Sequence, residues 1–550
     1  MGIYIHLSVS ASVTQREWEE VYQETFQLVK AFHLAERRLV PIRGIPTVCA
    51  VPTEEREETW GWSYKQTERG WFADCDFETL YGSEKYFLPR DLGLEDECEG
   101  EVTDALFVEI PDCLDGHDWD DPKFDCCYQL WDAKSQGRPY HMYRLAVACL
   151  IESRLGRKAY VYGDITKGQC EKAVRMANEH LSKRIHTPDQ CDLNRLFDRI
   201  EHGPGIITLT ECEKLKLFVH LYMGERDAEF GRVIRNRFSR QGCDEYWRNR
   251  FNQSNKYAVG YNFVLRDYLL WGFDLGQLCS YLHFQDEDGN THYEEFVKTI
   301  MDTKMHHRCR DCGDALAMDT DDEHPYAIGY FLAKLDFSGL ISKEIDRYIP
   351  IEEIRSELSK AIGSCCPVNE IIDTYLNEER TQEMADLSSR ISDGDLKRAY
   401  ELYRLAERIE AKKAAYKEYC EKYDIIDLEE LPLYKAGDKM APSVMEEVGK
   451  SFAVYRGFLD DYTYLELMDE EPQERCRWLS YSSHYVRLRY KEWEKIYDDI
   501  IEHPGSFARY YPMTCFAIHS EGLCCMVGAF LSNDDLYTYA FELEKQYAGS

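Results

Sequence analysis

The chain has 550 residues and a mass of 64.6 kDa, with 101 acidic against 66 basic side chains and a formal charge of −35. At 44% hydrophobic and 13% aromatic residues it carries ample material for packed cores, which excludes a globally disordered chain. The acidic excess excludes general binding to nucleic acid or to anionic membrane, since both require a positive footprint.

At roughly 150 residues per domain, the length predicts two to four domains. Ile3 to Ser10 alternates apolar and polar residues and reads as a strand. Thr14 and Glu17 form a capping box that opens a helix carrying Trp18, Val21, Tyr22, Thr25, Leu28, Val29 and Phe32. Pro41 and Gly44 close the connection to a second strand at Ile45 to Val51. Gly70 to Tyr81 and Ala105 to Ile110 follow as strand candidates, then an apolar helix at Tyr140 to Leu155 and a strand at Lys158 to Tyr162. This order predicts a βαββαβ, split-βαβ domain over 1–165, one sheet with both helices on one face. Residues 91–125 hold 14 acids and one Lys, so they are expected to form a solvated acidic insertion.

From residue 166 the period turns helical. Thr166 with Gln169 and Thr210 with Glu213 are further capping boxes. Helical stretches follow near 226–239, 260–283, 291–306, 327–341, 351–362, 368–390 and 394–423. The predicted units are therefore 1–165, a mainly helical 166–392, and 393–550. The last begins with a long helix and closes with a β-hairpin, Met513 to Ile518 and Cys524 to Phe530, plus a helix opened by Ser532 and Asp535. The fold class expected is α+β.

Cysteine is abundant, 21 residues in all, with vicinal pairs at 126–127, 365–366 and 524–525. No Lys or Arg precedes Arg16, so no signal-peptide n-region is evident, and no apolar run reaches the roughly 20 residues of a membrane span. Reduced, buried thiols and a cytoplasmic location are the expectation.

The most specific local motif is Cys309-Arg-Asp-Cys312-Gly313, the shape of a zinc knuckle. His307 and His324 are the candidates to complete a four-ligand zinc site. Zinc is the one cofactor the sequence suggests, because thiolates select it over hard cations. A basic island at 226–256 places Arg232, Arg235 and Arg237 off a buried Phe230–Ile234–Phe238 stripe, with Trp247 following. Arg beside aromatics suits recognition of acidic groups, so these four residues are the candidate interaction site. The island is also expected to screen the 91–125 acids. No P-loop, His-Glu-x-x-His or Gly-x-Ser-x-Gly motif occurs. The reading is a cytosolic, non-enzymatic interaction or scaffold protein that binds another protein through a helical surface. The alternative is a metal-dependent hydrolase whose His/carboxylate site is assembled from distant segments.

Overall fold

The structure, a computed structural model, describes residues 4–60, 66–80, 82–92, 104–109, 114, 127–134, 139–202, 209–253, 259–272, 277–278, 292–303, 306, 349–382, 425–426, 428–440, 442–458, 466–517 and 521–545. It is α+β, with antiparallel sheets near the N-terminus followed by helices.

Strands β1 (Tyr4–Ser10), β7 (Cys127–Lys134) and β8 (Ala159–Gly163) form one sheet in the order β7-β1-β8. Both flanking strands run antiparallel to β1, so β7 and β8 are parallel to each other with β1 between them. Helix α2 (Pro139–Leu155) joins β7 to β8, a split βαβ unit in the literal sense. The single sheet expected over 1–165 is corrected: a second, five-stranded sheet stands beside the first. It comprises β2 (Leu34–Ile42), β3 (Ile45–Pro52), β4 (Glu55–Trp60), β5 (Gln66–Asp76) and β6 (Gly82–Pro89), in the order β3-β2-β5-β4 with β6 pairing β5. Strand β2 escaped the sequence reading because its centre is Glu36-Arg37-Arg38. Glu36 is 0% exposed and meets Arg56 at 2.9 Å, Lys85 at 3.3 Å and Arg38 at 3.8 Å, so charge takes the place of an apolar alternation. Gly82 lets β6 approach β5, since a Cβ there would lie 1.9 Å from the Asp74 carbonyl oxygen.

Helix α1 (Gln15–Ala31) starts at the Thr14–Glu17 capping box and buries Trp18, Val21, Tyr22, Thr25, Leu28 and Val29, as their spacing predicts. With α2 and α3 (Lys167–Asn178, capped by Thr166 and Gln169) it builds the first core against both sheets. The tryptophan N–H groups are satisfied there: Trp18 donates to Pro89 O at 3.0 Å and Trp131 to Phe87 O at 2.9 Å.

A second core is helical: α4 (Leu193–Glu201), α5 (Glu211–Leu221), α6 (Ala228–Arg237), α7 (Arg240–Gln253), α8 (Val259–Leu270), α9 (Tyr293–Met301), α10 (Ile351–Ile362) and α11 (Val368–Gln382). The expected helices at 327–341 and 394–423 lie outside the described residues. Part of the acidic run enters this core. Ala105–Glu109 is a 3-10 turn and not a strand, and Asp104, Leu106, Phe107 and Leu114 are buried. Asp104 meets the buried Arg199 at 2.8 Å, and Asp189 and Glu152 meet the same guanidinium at 3.2 and 3.5 Å. Burial pushes the Glu152 carboxyl up to about 7, against the pull of Arg199. Asp104, the buried acid of that run, is thus balanced by Arg199 and not by the 226–256 island.

The C-terminal unit contains α12 (Pro442–Phe458), α13 (Pro472–Tyr481), α14 (Tyr490–Glu502), α15 (Phe507–Ala517), α16 (Glu521–Ser532) and α17 (Asp534–Glu544). The expected terminal β-hairpin is corrected: both its runs are helical, α15 and α16, and they pack on each other. A short apolar run does not reveal its period, and these runs also hold Met, Ala and Cys, which sit readily in a buried helix. The cap of the last helix is Asn533, which accepts from Leu536 N at 3.0 Å, in place of Ser532.

This third core includes the tip of the β2–β3 hairpin. Ile42, Ile45 and Cys49 are buried among Val448, Leu488, Trp493 and Ile496. Arg43 and Gly44 turn the chain at φ 50° and 80°, and the Arg43 guanidinium meets both oxygens of Asp498 at 2.8 Å. The free edge of β3 is closed by residues 483–489: Val48 N–H donates to Ser483 Oγ and Ala50 N–H to Leu488 O, each at 2.9 Å.

Three outcomes follow from this packing. Thr47 Oγ1 is 3.0 Å from Ile45 O and 2.9 Å from Tyr497 OH, so it donates to the former and accepts from the latter. A Thr47→Val/Tyr497→Phe double-mutant cycle, read by urea denaturation, is expected to give a coupling of about 1 kcal/mol. Arg199→Met leaves three carboxyls without their shared cation and is expected to cost about 3–5 kcal/mol at pH 7. That deficit should shrink toward pH 5, as the stranded carboxyls take up protons. His141 is buried in α2, and burial, helped by Arg144, lowers it to about 4. A His held neutral by folding contributes stability that is whole above pH 6.5 and lost as pH falls toward 4, on the order of 3 kcal/mol. The difference between wild-type and His141→Leu stability curves should trace that loss in that window.

Candidate interaction surface

The sequence-predicted zinc ligands Cys309, Cys312, His307 and His324 lie outside the described residues. Among the described residues, no three His, Cys, Asp or Glu side chains are gathered so as to hold a metal ion. The Arg island is described, and its members face different neighbours. Arg232 pairs with Glu229 one turn back, at 2.9 Å. Arg235 donates to the carbonyls of Trp271 and Gly272, at 2.6 and 3.0 Å, and so closes the end of α8. Arg237 donates to Asn194 Oδ1 at 3.2 Å and lies 5.2 Å from the Phe197 ring centroid. Trp247 is 1% exposed, with its ring 4.9 Å from Tyr268 and 4.8 Å from Trp271. It is a core residue, and the four do not converge on one ligand.

A different surface collects exposed aromatics. Helix α13 begins at Pro472, whose missing N–H costs nothing at a first helical position. Cys476 and Leu479 point into the third core. Trp478 and Tyr481, two and two residues further round, therefore point outward. The 3-10 turn Ser482–His484 follows, and the exposed Tyr485 stands directly after it. Their exposures are 45%, 67% and 50%, large for such rings, and Trp478 and Tyr481 lie 5.9 Å apart. Leu39 of β2, 60% exposed, stands opposite Val48, the residue that bonds Ser483.

Rigid anchors hold this face. Arg475 is buried and donates to the carbonyls of Met468, Glu470 and Pro504, the last two at 3.0 and 2.8 Å. It thereby fixes the acidic turn Glu466–Asp469 beside the start of α13. Glu466, Asp469, Glu470 and Glu471 are all exposed, and Arg477 pairs with Glu474.

A groove of about 870 Å³ lies on the same unit, between α14, α15 and α17. Asp534 is shared there by Lys495 at 2.6 Å and Arg509 at 3.4 Å, and the hydrogen bond from Lys495 holds its carboxyl below the ordinary range. Burial would raise Asp499, but hydrogen bonds from Tyr510, Ser506 and His503 outweigh it and lower the carboxyl. Arg509 lies 4.1 Å from the Tyr537 ring centroid. Five acids and three cations line the groove; Lys495 and Arg509 neutralise Asp534, and Arg43 meets Asp498 from the β2–β3 turn.

Sequence reading missed Trp478, Tyr481 and Tyr485. The signal was present: Cys476 and Leu479 lie on one side of α13 and Trp478 and Tyr481 on the other, with Tyr485 beyond its end. Deciding which stripe is buried required knowing that β3 docks on the first. Compared with protein-family models, characterised proteins and solved structures, the chain matches none of them.

Proposed function

We propose that this is a non-enzymatic protein-interaction or scaffold protein, which docks a partner protein on the helical face of Trp478, Tyr481 and Tyr485. The observation that supports it is the exposed Trp478–Tyr481 pair, with exposed Tyr485 just past the next turn, on a helix anchored from beneath by Leu479, Cys476 and Arg475. Exposed Trp and Tyr on an ordered element lose little conformational entropy when covered, and such residues dominate binding energy at protein interfaces. The proposed compartment is the cytoplasm. Its support is that twelve cysteines among the described residues are free thiols, eight of them buried. Among the described residues, no helix is long and apolar enough to cross a membrane.

The test is quantitative co-purification of the native chain against a Trp478→Ala/Tyr481→Ala variant shown by circular dichroism to be equally folded. A defined subset of co-purifying proteins is expected to fall at least about tenfold, the effect of losing one hot-spot residue. Identical sets from both chains would contradict the docking face.

A further inference from the structure

We infer that the segment docking on the Trp478–Tyr481–Tyr485 face is basic: a short stretch of a partner protein carrying two or more Arg or Lys side chains. This rests on the docking face proposed above and adds the chemistry of its occupant.

Three observations converge. First, the face is rimmed by carboxylates. Between 466 and 485 the acids are Glu466, Asp469, Glu470, Glu471 and Glu474, and the cations are Arg475 and Arg477. Arg475 is buried against backbone carbonyls and Arg477 is paired with Glu474, so the outward charge is negative. Second, exposed Trp and Tyr faces attract guanidinium and ammonium groups, and the aliphatic stems of Arg and Lys cover such rings. An acidic or phosphorylated segment would gain neither contact and would meet the rim carboxylates in repulsion. Third, the whole chain carries −35, a field that accelerates the approach of cations and slows that of anions.

The geometry sets the length. Helix α13 has 10 residues. At about 1.5 Å per helical residue and about 3.3 Å per extended residue, five or six residues of an extended segment run from the acidic turn past the rings. One cation then meets the carboxylates of 469–471 while a second reaches the Trp478–Tyr481 pair.

The test is fluorescence anisotropy of the full chain with a labelled twelve-residue peptide of alternating Arg and Leu, and with its Glu-for-Arg counterpart. Two triple charge reversals change the net charge equally. Glu470→Lys/Glu471→Lys/Glu474→Lys strikes the rim, and Glu352→Lys/Glu353→Lys/Glu370→Lys strikes exposed acids of α10 and α11. The basic peptide is expected to bind the wild type and the α10/α11 variant alike. Its affinity should fall at least about tenfold in the rim variant and in Trp478→Ala/Tyr481→Ala. Equal affinity for the two charge-reversal variants would overturn the inference, because attraction would then be diffuse. Binding of the acidic peptide that depends on Trp478 would also overturn it while leaving the docking face standing. Basic-peptide binding that ignores loss of both rings would instead remove the docking face. Failure of both peptides to bind would overturn the basic partner, and the co-purification result would still judge the face on its own.

Discussion

An edge strand cannot be left with a row of unpaired amides, and β3 is the edge of the five-stranded sheet. The chain meets this constraint with residues more than 400 positions away. Ser483 and Leu488 receive the Val48 and Ala50 amides, while the hairpin tip carries Ile42 and Ile45 into the third core. Burying two such side chains is worth about 1.5–3 kcal/mol each, far more than the exposed Arg43–Asp498 pair at its flank. The first and last parts of the chain are therefore held by apolar burial and backbone pairing, with charge fixing the register.

The same docking creates the outward face. Helix α13 has two stripes, and β3 takes the Cys476–Leu479 side because it needs an apolar cover. Trp478, Tyr481 and Tyr485 are what remains. Left in water, these rings carry the cost of exposed apolar surface. Among the described residues, Trp18, Trp71, Trp131, Trp247, Trp271 and Trp493 are by contrast all buried.

Local chemistry was legible in the sequence where local physics decides. The boxes at Thr14, Thr166 and Thr210 cap helices as written, and Phe230, Ile234 and Phe238 are buried as their spacing requires. Strand β2 was illegible because its core position is Glu36, paired with three cations from β2, β4 and β6. The terminal helices were misread as a hairpin because apolar runs on a fully packed helix show no period. Within the Arg island, Arg235 and Arg237 tie α6 to the end of α8 and to Asn194, while Arg232 stays exposed beside Glu229. The candidate face was hidden for a different reason: its exposure is a property of the β3 docking, which joins segments no local pattern connects.

The central claim is that β3 and the segment 483–489 form one cooperative unit that presents the aromatic face. Native-state hydrogen exchange in increasing urea tests it most directly. The Ala50 amide and the interior amides of α14 are expected to lose protection at the same free energy and with the same denaturant dependence. Exchange of Ala50 at low urea, while α14 stays protected, would contradict it.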